Sequence, residues 1–581
     1  MSKPKKNRRK KNLLAKDKLK PNHKLREKSK DLDSFRSELE DKYRRDEDQE
    51  IIDHKVKSFK QILLQRELAE NNVDQTTIKK EEHLLIGKTL KVTWIVLAIF
   101  LLATLIKPDK VESIALSIKA LMVYNLSWLF LGSTAFILVF LVYLASSRYG
   151  NIVLGDPKDK PEFSTMSWIA MLFSAGMGAG LVFWGAAEPM LHYVYPPLGD
   201  GRTHEAASKA MVYAAFHWGF HGWGIYTLCA VSVAYFGFRK RKKYLISSCI
   251  PVFVQNRDTH GLVKLCTDVT ATLAVVFGVA ASLGLGVKQI CGGIGTVFEI
   301  DSTGTSFQLG VLAVVTVCFL LSACTGLSKG IQILSNLNII MAICLMVFIF
   351  FVGPQIFSLN LFIDTIGNYI HNLIPLSFQM NPMSSKYVQW MGDWSILYLA
   401  WWIAWCPFVG IFLARISKGR TIREFIFGAL VIPTVFTILW FSVFGGAAFQ
   451  LDLLGNEDLA ALMKQDVSKA LFLLLTYYPM QFASSVLALF LIFVFLVTSA
   501  DSATFVIAMM TSEGDLDPNI TIKITWGVII TVITGALLVT GGIKSIQAVA
   551  LIFSLPFIFV LLMMVMSLWM RLSTEVERKR L

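Results

Sequence analysis

Charge is scarce in this 581-residue chain: Asp, Glu, Lys and Arg make up 17% of it, against 54% hydrophobic residues. A soluble protein of this length divides into several domains with charged outer faces, and beyond residue 90 the sequence has too few charges to build them. Cysteine is also sparse. The eight cysteines (Cys229, Cys249, Cys266, Cys291, Cys318, Cys324, Cys344 and Cys406) show no CxxC and no paired spacing, which argues against a disulfide framework or a thiolate metal cluster. No complete GxxxxGK[S/T] loop and no HExxH occurs, so an ATP-driven pump lacks its motif. An integral-membrane enzyme needs His, Asp and Glu clustered across segments. Only His217 and His221, four apart, come close, and no carboxylate or thiolate stands suitably near them for zinc. Helix-packing hydrogen bonds are the expectation for both, with no catalytic residue and no cofactor.

What the chain does have is apolar length. About twelve runs long enough to span a bilayer follow residue 90, which identifies an all-α integral membrane protein. They cover 91–107, 121–146, 164–191, 208–237, 264–296, 306–324, 331–358, 393–416, 424–449, 480–511, 520–541 and 545–570. Residues 1–89 form a charged N-terminal tail. The first apolar run lies behind it, so no cleaved signal peptide is expected. Residues 1–30 hold 14 Lys/Arg against 2 Asp/Glu, a local +12 within a net charge of +14. Such a stretch is expected to be disordered by self-repulsion. A cytoplasmic topology signal and attraction to anionic headgroups explain it better than a nucleic-acid arm. Residues 31–89 mix signs, as a soluble or membrane-surface helix does.

An even number of spans puts both termini on one side. The loops carrying Arg148, Lys158 and Lys160, then Arg239 to Lys243, then Lys329, then Arg415, Lys418, Arg420 and Arg423 fall on that side, as does the short basic tail 571–581. Both termini are therefore expected in the cytoplasm of a cell membrane. Residues 359–392 become an extracellular connection, amphipathic near Leu361–Leu373, which suits an interfacial helix. The third span is interrupted by Gly176-Met177-Gly178-Ala179-Gly180, and the eighth by Trp401-Trp402-Ile403-Ala404-Trp405-Cys406-Pro407 and Gly410. Pro407 removes an amide donor and disfavours helix at Cys406, so unwinding or a kink is expected there. Paired Gly/Pro interruptions in corresponding places point to a secondary transporter made of inverted repeats. Counting from each gives five-helix repeats at spans 3–7 (164–358) and 8–12 (393–570), with 90–146 as two peripheral helices.

The chemistry concentrates in four runs. Trp401, Trp402 and Trp405 share roughly 100° of helix surface, an aromatic wall suited to an organic cation. Trp218, Trp223 and Tyr226 fit one arc of roughly 140° as a second wall. Together with Trp402 they could close a box around a quaternary ammonium, each desolvated cation–π contact contributing up to about 2 kcal/mol. The glycine run reads equally as freed backbone for a ligand or as a small-xxx-small helix contact. In the tenth span Thr498, Ser499 and Ser502 share a face and could offer oxygens to sodium, or bond back to their own helix. Asp501 and Lys288 are intramembrane ionisable residues and so functional candidates. Asp501 points away from the hydroxyls and is expected to cap or to pair with a loop base.

These runs resemble the betaine/carnitine/choline transporter (BCCT) family over about residues 90–570. The matching pieces are Ser147-Arg148-Tyr149-Gly150, Pro161-Glu162-Phe163-Ser164, the glycine run, Ala187-Glu188-Pro189 with His192-Tyr193, Trp218 to Tyr226, Ser282-Leu283-Gly284-Leu285-Gly286, Trp401 to Gly410 continuing to Ala414-Arg415-Ile416-Ser417, Gly419 to Phe425, and Thr498 to Ser502. The resemblance implies twelve transmembrane helices, two inverted five-helix repeats of the sodium-symporter type and a homotrimer. It implies an aromatic box of Trp218, Trp223, Tyr226 and Trp402, with Trp401 and Trp405 on the exit path. It also implies a sodium site of Ser174 and Met177 backbone oxygens with Phe495, Thr498 and Ser499.

Three departures shape the expectation. Val275 and Val279 stand where sodium/betaine members use two threonines, so a second sodium through that site is not supported. Ala179 replaces a usual isoleucine. Gly180 stands where choline-transporting members tend to carry aspartate, which favours a zwitterion held by backbone donors. The expected function is sodium-coupled import of glycine betaine or a similar zwitterionic quaternary ammonium osmolyte, with Gly176, Met177, Gly178, Ala179 and Gly180 holding the carboxylate. The alternative is sodium-independent exchange of carnitine-like solutes, motivated by Val275, Val279 and Lys288.

Overall fold

The computed structural model describes residues 87–176, 178–250, 257–324, 328–455, 458–540 and 542–578. The tail expected over 1–89 lies outside them except for its last three residues. In chain order the helices are α1 (Lys88–Ile106), α2 (Pro108–Ser146), α3 (Thr165–Gly176), α4 (Ala179–Trp184), α5 (Ala187–Val194), α6 (His204–Trp218), α7 (Phe220–Ala234), α8 (Arg257–Phe298), α9 (Thr305–Cys324), α10 (Ser328–Val352), α11 (Gln355–Phe378), α12 (Ser385–Asp393), α13 (Ser395–Ile416), α14 (Ile422–Leu453), α15 (Asp458–Gln465), α16 (Ala470–Leu475), α17 (Gln481–Thr511), α18 (Ile520–Thr540) and α19 (Gly542–Arg578). Among the described residues there is no strand, only an isolated antiparallel bridge of Val153 with Thr421.

Among the described residues, ten stretches are long and apolar enough to cross a bilayer. The third and fourth expected spans are not among them because each is divided. Residues 164–191 become α3, α4 and α5, and residues 208–237 fall mainly in α6 and α7. Outward-facing side chains such as Ile99, Leu105, Phe351 and Ile363 are apolar and more than half exposed. That reversal of the soluble pattern is what lipid contact requires.

The break in the third span falls at the glycine run: α3 ends at Gly176, Gly178 is extended (φ −117°, ψ −167°), and α4 starts at Ala179. The break between α6 and α7, at Gly219, was not expected. Gly219 has ψ −136°, and a Cβ there would lie 2.4 Å from the Ala215 carbonyl oxygen and 2.7 Å from Tyr369 Oη. Tyr369 accepts a hydrogen bond from the freed Phe220 N–H at 3.0 Å. The amphipathic stretch that supplies Tyr369 is helical, as expected, but longer: α11 buries Ser358, Leu361, Thr365, Tyr369 and Leu376 along one stripe, the spacing of a helix with one packed face.

Two other expectations are corrected. α13 does not unwind at Pro407; helix runs uninterrupted through it from Ser395 to Ile416. Tight packing on both sides overrides the local preference. A Cβ at Gly410 would sit 2.5 Å from Cys229 Sγ, and one at Gly278 would sit 3.0 Å from the Ala404 and Trp405 side chains. α2 also begins at Pro108 rather than near residue 121, proline being pre-set for the first helical turn.

Several motif residues build a loop cluster at one end of the bundle. Gly419 (φ +83°) packs against Lys160, where a Cβ would lie 2.1 Å from the carbonyl oxygen. Arg420 is buried beneath the Trp168 ring at 4.1 Å and donates to Glu424 and to the Phe163 carbonyl. Arg423 donates to the Ala145 and Ser147 carbonyls, the open C-terminal end of α2. Unpaired carbonyls at a helix end need such donors.

Candidate substrate-binding site

A cavity of about 80 Å³ opens where the glycine break meets α6, α7, α8, α13 and α17. A single water needs roughly 10–15 Å³ of such space, so it holds several waters or one small solute. Its lining includes six aromatic rings: Trp218, Tyr226, Tyr398, Trp401, Trp402 and Trp405. Gly178, Ala179, Gly180, Val279, Ser282, Leu283, Leu496, Ser499 and Ala500 also line it, and among the described residues that line it there is no Asp, Glu, Lys or Arg.

The helix breaks decide how these rings meet. Trp218, Trp223 and Tyr226 do not share a single arc, because Gly219 places Trp218 at the end of α6 and the other two on α7. Trp402 of α13 fills the gap: its Nε1 donates to the His217 carbonyl at 2.8 Å, one of the acceptors near the break. Ring centroids lie 4.7 Å from Trp402 to Tyr226, 5.8 Å to Trp223 and 6.1 Å to Trp218. Such close approach needs Gly222, where a Cβ would sit 2.3 Å from Trp402 Cε2. Trp223 is wholly buried behind Trp402 and does not reach the cavity. Trp401 does line it, its Nε1 donating to Ser282 Oγ at 3.0 Å. Trp405 lines it too and packs edge-on against Phe408, its buried Nε1 having no partner among the described residues.

At the glycine end, Gly178, Ala179 and Gly180 form the wall and the start of α4, where the first amides have no intrahelical acceptor. A Cβ at Gly180 would come within 3.1 Å of Trp218 Cη2, so the bare backbone lets the ring close over it. Gly176 ends α3, while Met177 and the side chain of Ser174 lie outside the described residues. On α17, Ser499 reaches the cavity but Phe495 and Thr498 do not line it. Thr498 Oγ1 donates to the Val494 and Phe495 carbonyls (2.9 and 3.2 Å) and accepts from Asn338 Nδ2 at 3.1 Å. One lone pair of that hydroxyl remains. Asp501 accepts a hydrogen bond from Ser322 of α9, and the basic residue that acts on it electrostatically is Lys523, in the first turn of α18. Lys288 is absent from the lining.

A buried polar network behind the rings was not foreseen. Glu188 of α5 is fully buried. Its Oε2 accepts from Trp218 Nε1 at 2.9 Å and from Tyr398 Oη at 2.6 Å. Its Oε1 faces His217 Nδ1 at 2.6 Å and His192 Nε2 at 3.5 Å. A carboxylate therefore does stand beside His217, contrary to expectation. His217 and His221 do not act as a pair, because the Gly219 break sends them to different helices. His217 Nε2 meets Ser395 Oγ and His221 Nε2 meets Ser377 Oγ, both at 2.9 Å. Glu188, His192 and His217 bring ligand-type atoms within 4.8 Å of one another. The 2.6 Å separation is nonetheless a hydrogen bond, shorter than the roughly 3.3 Å between two ligands on one tetrahedral zinc. Two sequence signals were available. Tyr398 is four residues before Trp402 on the same helix face, and Glu188 is the one ionisable residue in the run 164–191.

Residues 88–577 match the family described as "BCCT, betaine/carnitine/choline family transporter". The chain is 45% identical over 488 residues to a glycine betaine transporter of Bacillus subtilis, covering 83% of this chain and 94% of that protein. It is 39% identical over 500 residues to a probable glycine betaine transporter of Desulfitobacterium hafniense, covering 86% and 98%. It is 40% identical over 475 residues to an ectoine/hydroxyectoine transporter of Virgibacillus pantothenticus, covering 81% and 93%.

Proposed function

The chain belongs to the betaine/carnitine/choline family of transporters, and on that premise we propose that it imports glycine betaine, or a zwitterionic quaternary ammonium osmolyte like it, together with sodium. The observation that carries this reading is a cavity walled by six aromatic rings with no charged side chain in its lining. A quaternary ammonium makes no hydrogen bonds, so it is held by ring faces and shape, and a desolvated site strengthens that attraction. Trp218, Tyr226 and Trp402 hold the trimethylammonium, with Trp223 bracing Trp402 from behind. The amides of Gly178, Ala179 and Gly180 hold the carboxylate, a role that extends to Gly176 and Met177 beside them in sequence.

Sodium binds between the broken third span and α17, at backbone oxygens of Ser174, Met177 and Phe495 and the hydroxyls of Thr498 and Ser499. The free lone pair on Thr498 fits this role. The ion tethers the glycine break to α17 and so favours substrate binding, a coupling free energy that works in both directions. Val275 and Val279 offer no side-chain oxygen, so a second sodium through that site is not supported. α3 to α5 together, and α6 with α7, count as the third and fourth crossings. On that count there are twelve crossings with both termini cytoplasmic, and the family resemblance adds two inverted five-helix repeats and a homotrimer to the proposal.

Uptake of labelled betaine into proteoliposomes, with an inward sodium gradient and with potassium in its place, tests the reading. Wild-type uptake is expected to depend on sodium, and Trp402→Leu to lose most of it. Equal uptake in potassium selects sodium-independent exchange instead. Unchanged uptake in Trp402→Leu removes the cage assignment.

A further inference from the structure

The wall of the cavity is uncharged, yet a carboxylate stands directly behind it. Trp218 and Tyr398 present their rings to the cavity, and both direct their polar hydrogens to the same atom, Glu188 Oε2. The other oxygen faces His217 Nδ1 and His192 Nε2. His217 is fixed in turn: its Nε2 meets Ser395, and its ring stacks on Tyr398 at 4.8 Å and 14°. We propose that Glu188 is a specificity-determining positioning residue: it fixes Trp218 and Tyr398 and places a negative charge behind the cage, so that a permanent cation is preferred over a neutral group of the same shape.

Two arguments support a carboxylate rather than any polar side chain at this point. An indole N–H only donates, and here it is joined by a phenol and two imidazoles around two oxygens. An amide could keep the indole and phenol bonds but would carry no charge, whereas an ionised carboxylate accepts from Trp218 Nε1 and Tyr398 Oη at one oxygen and pairs with His217 Nδ1 at the other. Burying a charge is costly unless it is used or fully bonded. Hydrogen bonds to a charged acceptor also polarise the donor. The Tyr398 and Trp218 faces thus become more negative where a trimethylammonium would lie. Glu188, His192 and His217 are all buried, so the field of Glu188 is weakly screened. A merely structural Glu188 would position the rings equally well for any ligand of matching shape. A charge-bearing one discriminates.

The inference rests on the quaternary ammonium reading above, and two probes separate them. Glycine betaine and tert-butylacetate share shape and carboxylate, but carbon replaces the cationic nitrogen in the second. In purified full-length protein, labelled betaine binding and its displacement by tert-butylacetate are measured for wild type, Glu188→Gln and Tyr398→Phe. Wild type is expected to bind betaine far more tightly. Glu188→Gln is expected to weaken betaine on the order of tenfold and to change tert-butylacetate by no more than about twofold. Tyr398→Phe keeps the ring but loses its bond to Oε2, and should shift the ratio in the same direction by less. It supplies the same comparison if Glu188→Gln does not fold. Equal weakening of both ligands, or no change in either, overturns the proposal while leaving the transport reading intact. A wild-type protein that binds no quaternary ammonium solute overturns both.

Discussion

Replacing Gly222 with alanine adds one methyl group at the most constrained contact in the cage. The glycine is helical, so alanine suits its backbone and even favours the helix by roughly 0.5–1 kcal/mol. The added carbon, however, would lie 2.3, 2.5 and 2.7 Å from Cε2, Cδ2 and Nε1 of Trp402. Non-bonded carbons rest at about 3.5–4.0 Å, so the ring must retreat by about 1 Å. Little room exists, because Nε1 is tied to the His217 carbonyl and Tyr226 and Trp223 flank the ring. Overpacking of this kind costs about 1–3 kcal/mol in stability. If the displaced ring loses a cation–π contact of about 2 kcal/mol, the KM for betaine rises about thirtyfold. Gly224→Ala is the matched control on the same helix: its Cβ would meet only Leu141 and Leu138 methyls at 3.8 and 3.9 Å, ordinary contact. Uptake kinetics and thermal unfolding of both variants decide the matter. A folded Gly222→Ala protein with a betaine KM within about twofold of wild type would refute the claim that Trp402 is wedged into the cage.

Thr498→Ala removes the hydroxyl assigned to sodium, and the sodium concentration for half-maximal uptake should rise about tenfold or more while uptake at saturating sodium falls less; unchanged sodium dependence would move the ion elsewhere. Tyr369→Phe leaves the Phe220 N–H without its acceptor, an unsatisfied buried donor costing about 1–3 kcal/mol. Its melting temperature should therefore drop with little change in betaine KM, since Tyr369 does not line the cavity. Gly180→Ala would bring a methyl to 3.1 Å from Trp218, and a few-fold rise in betaine KM is expected, read in the same uptake assay.

Membrane class was legible because an apolar run of spanning length has no other stable home in water, and the glycine run announced its break because glycine permits one at no steric cost. The rings of the cage were legible by type and spacing. Of the kink or unwinding expected at Pro407, unwinding does not occur, since packing of Gly410 on Cys229 and of Gly278 on the Ala404–Trp405 pair keeps the helix continuous. Gly219 was passed over, although it sits among the aromatic residues, because a lone glycine in an apolar run more often continues a helix than divides one. That break required Tyr369, about 150 residues away in sequence, to satisfy the freed amide. The sequence alone therefore determined the membrane class and which side chains were available to meet an organic cation. Which of them line the cavity, and that Glu188 lies behind Trp218 and Tyr398, was decided only by tertiary structure, because those relations depend on helix breaks and close approaches between segments that no local pattern encodes.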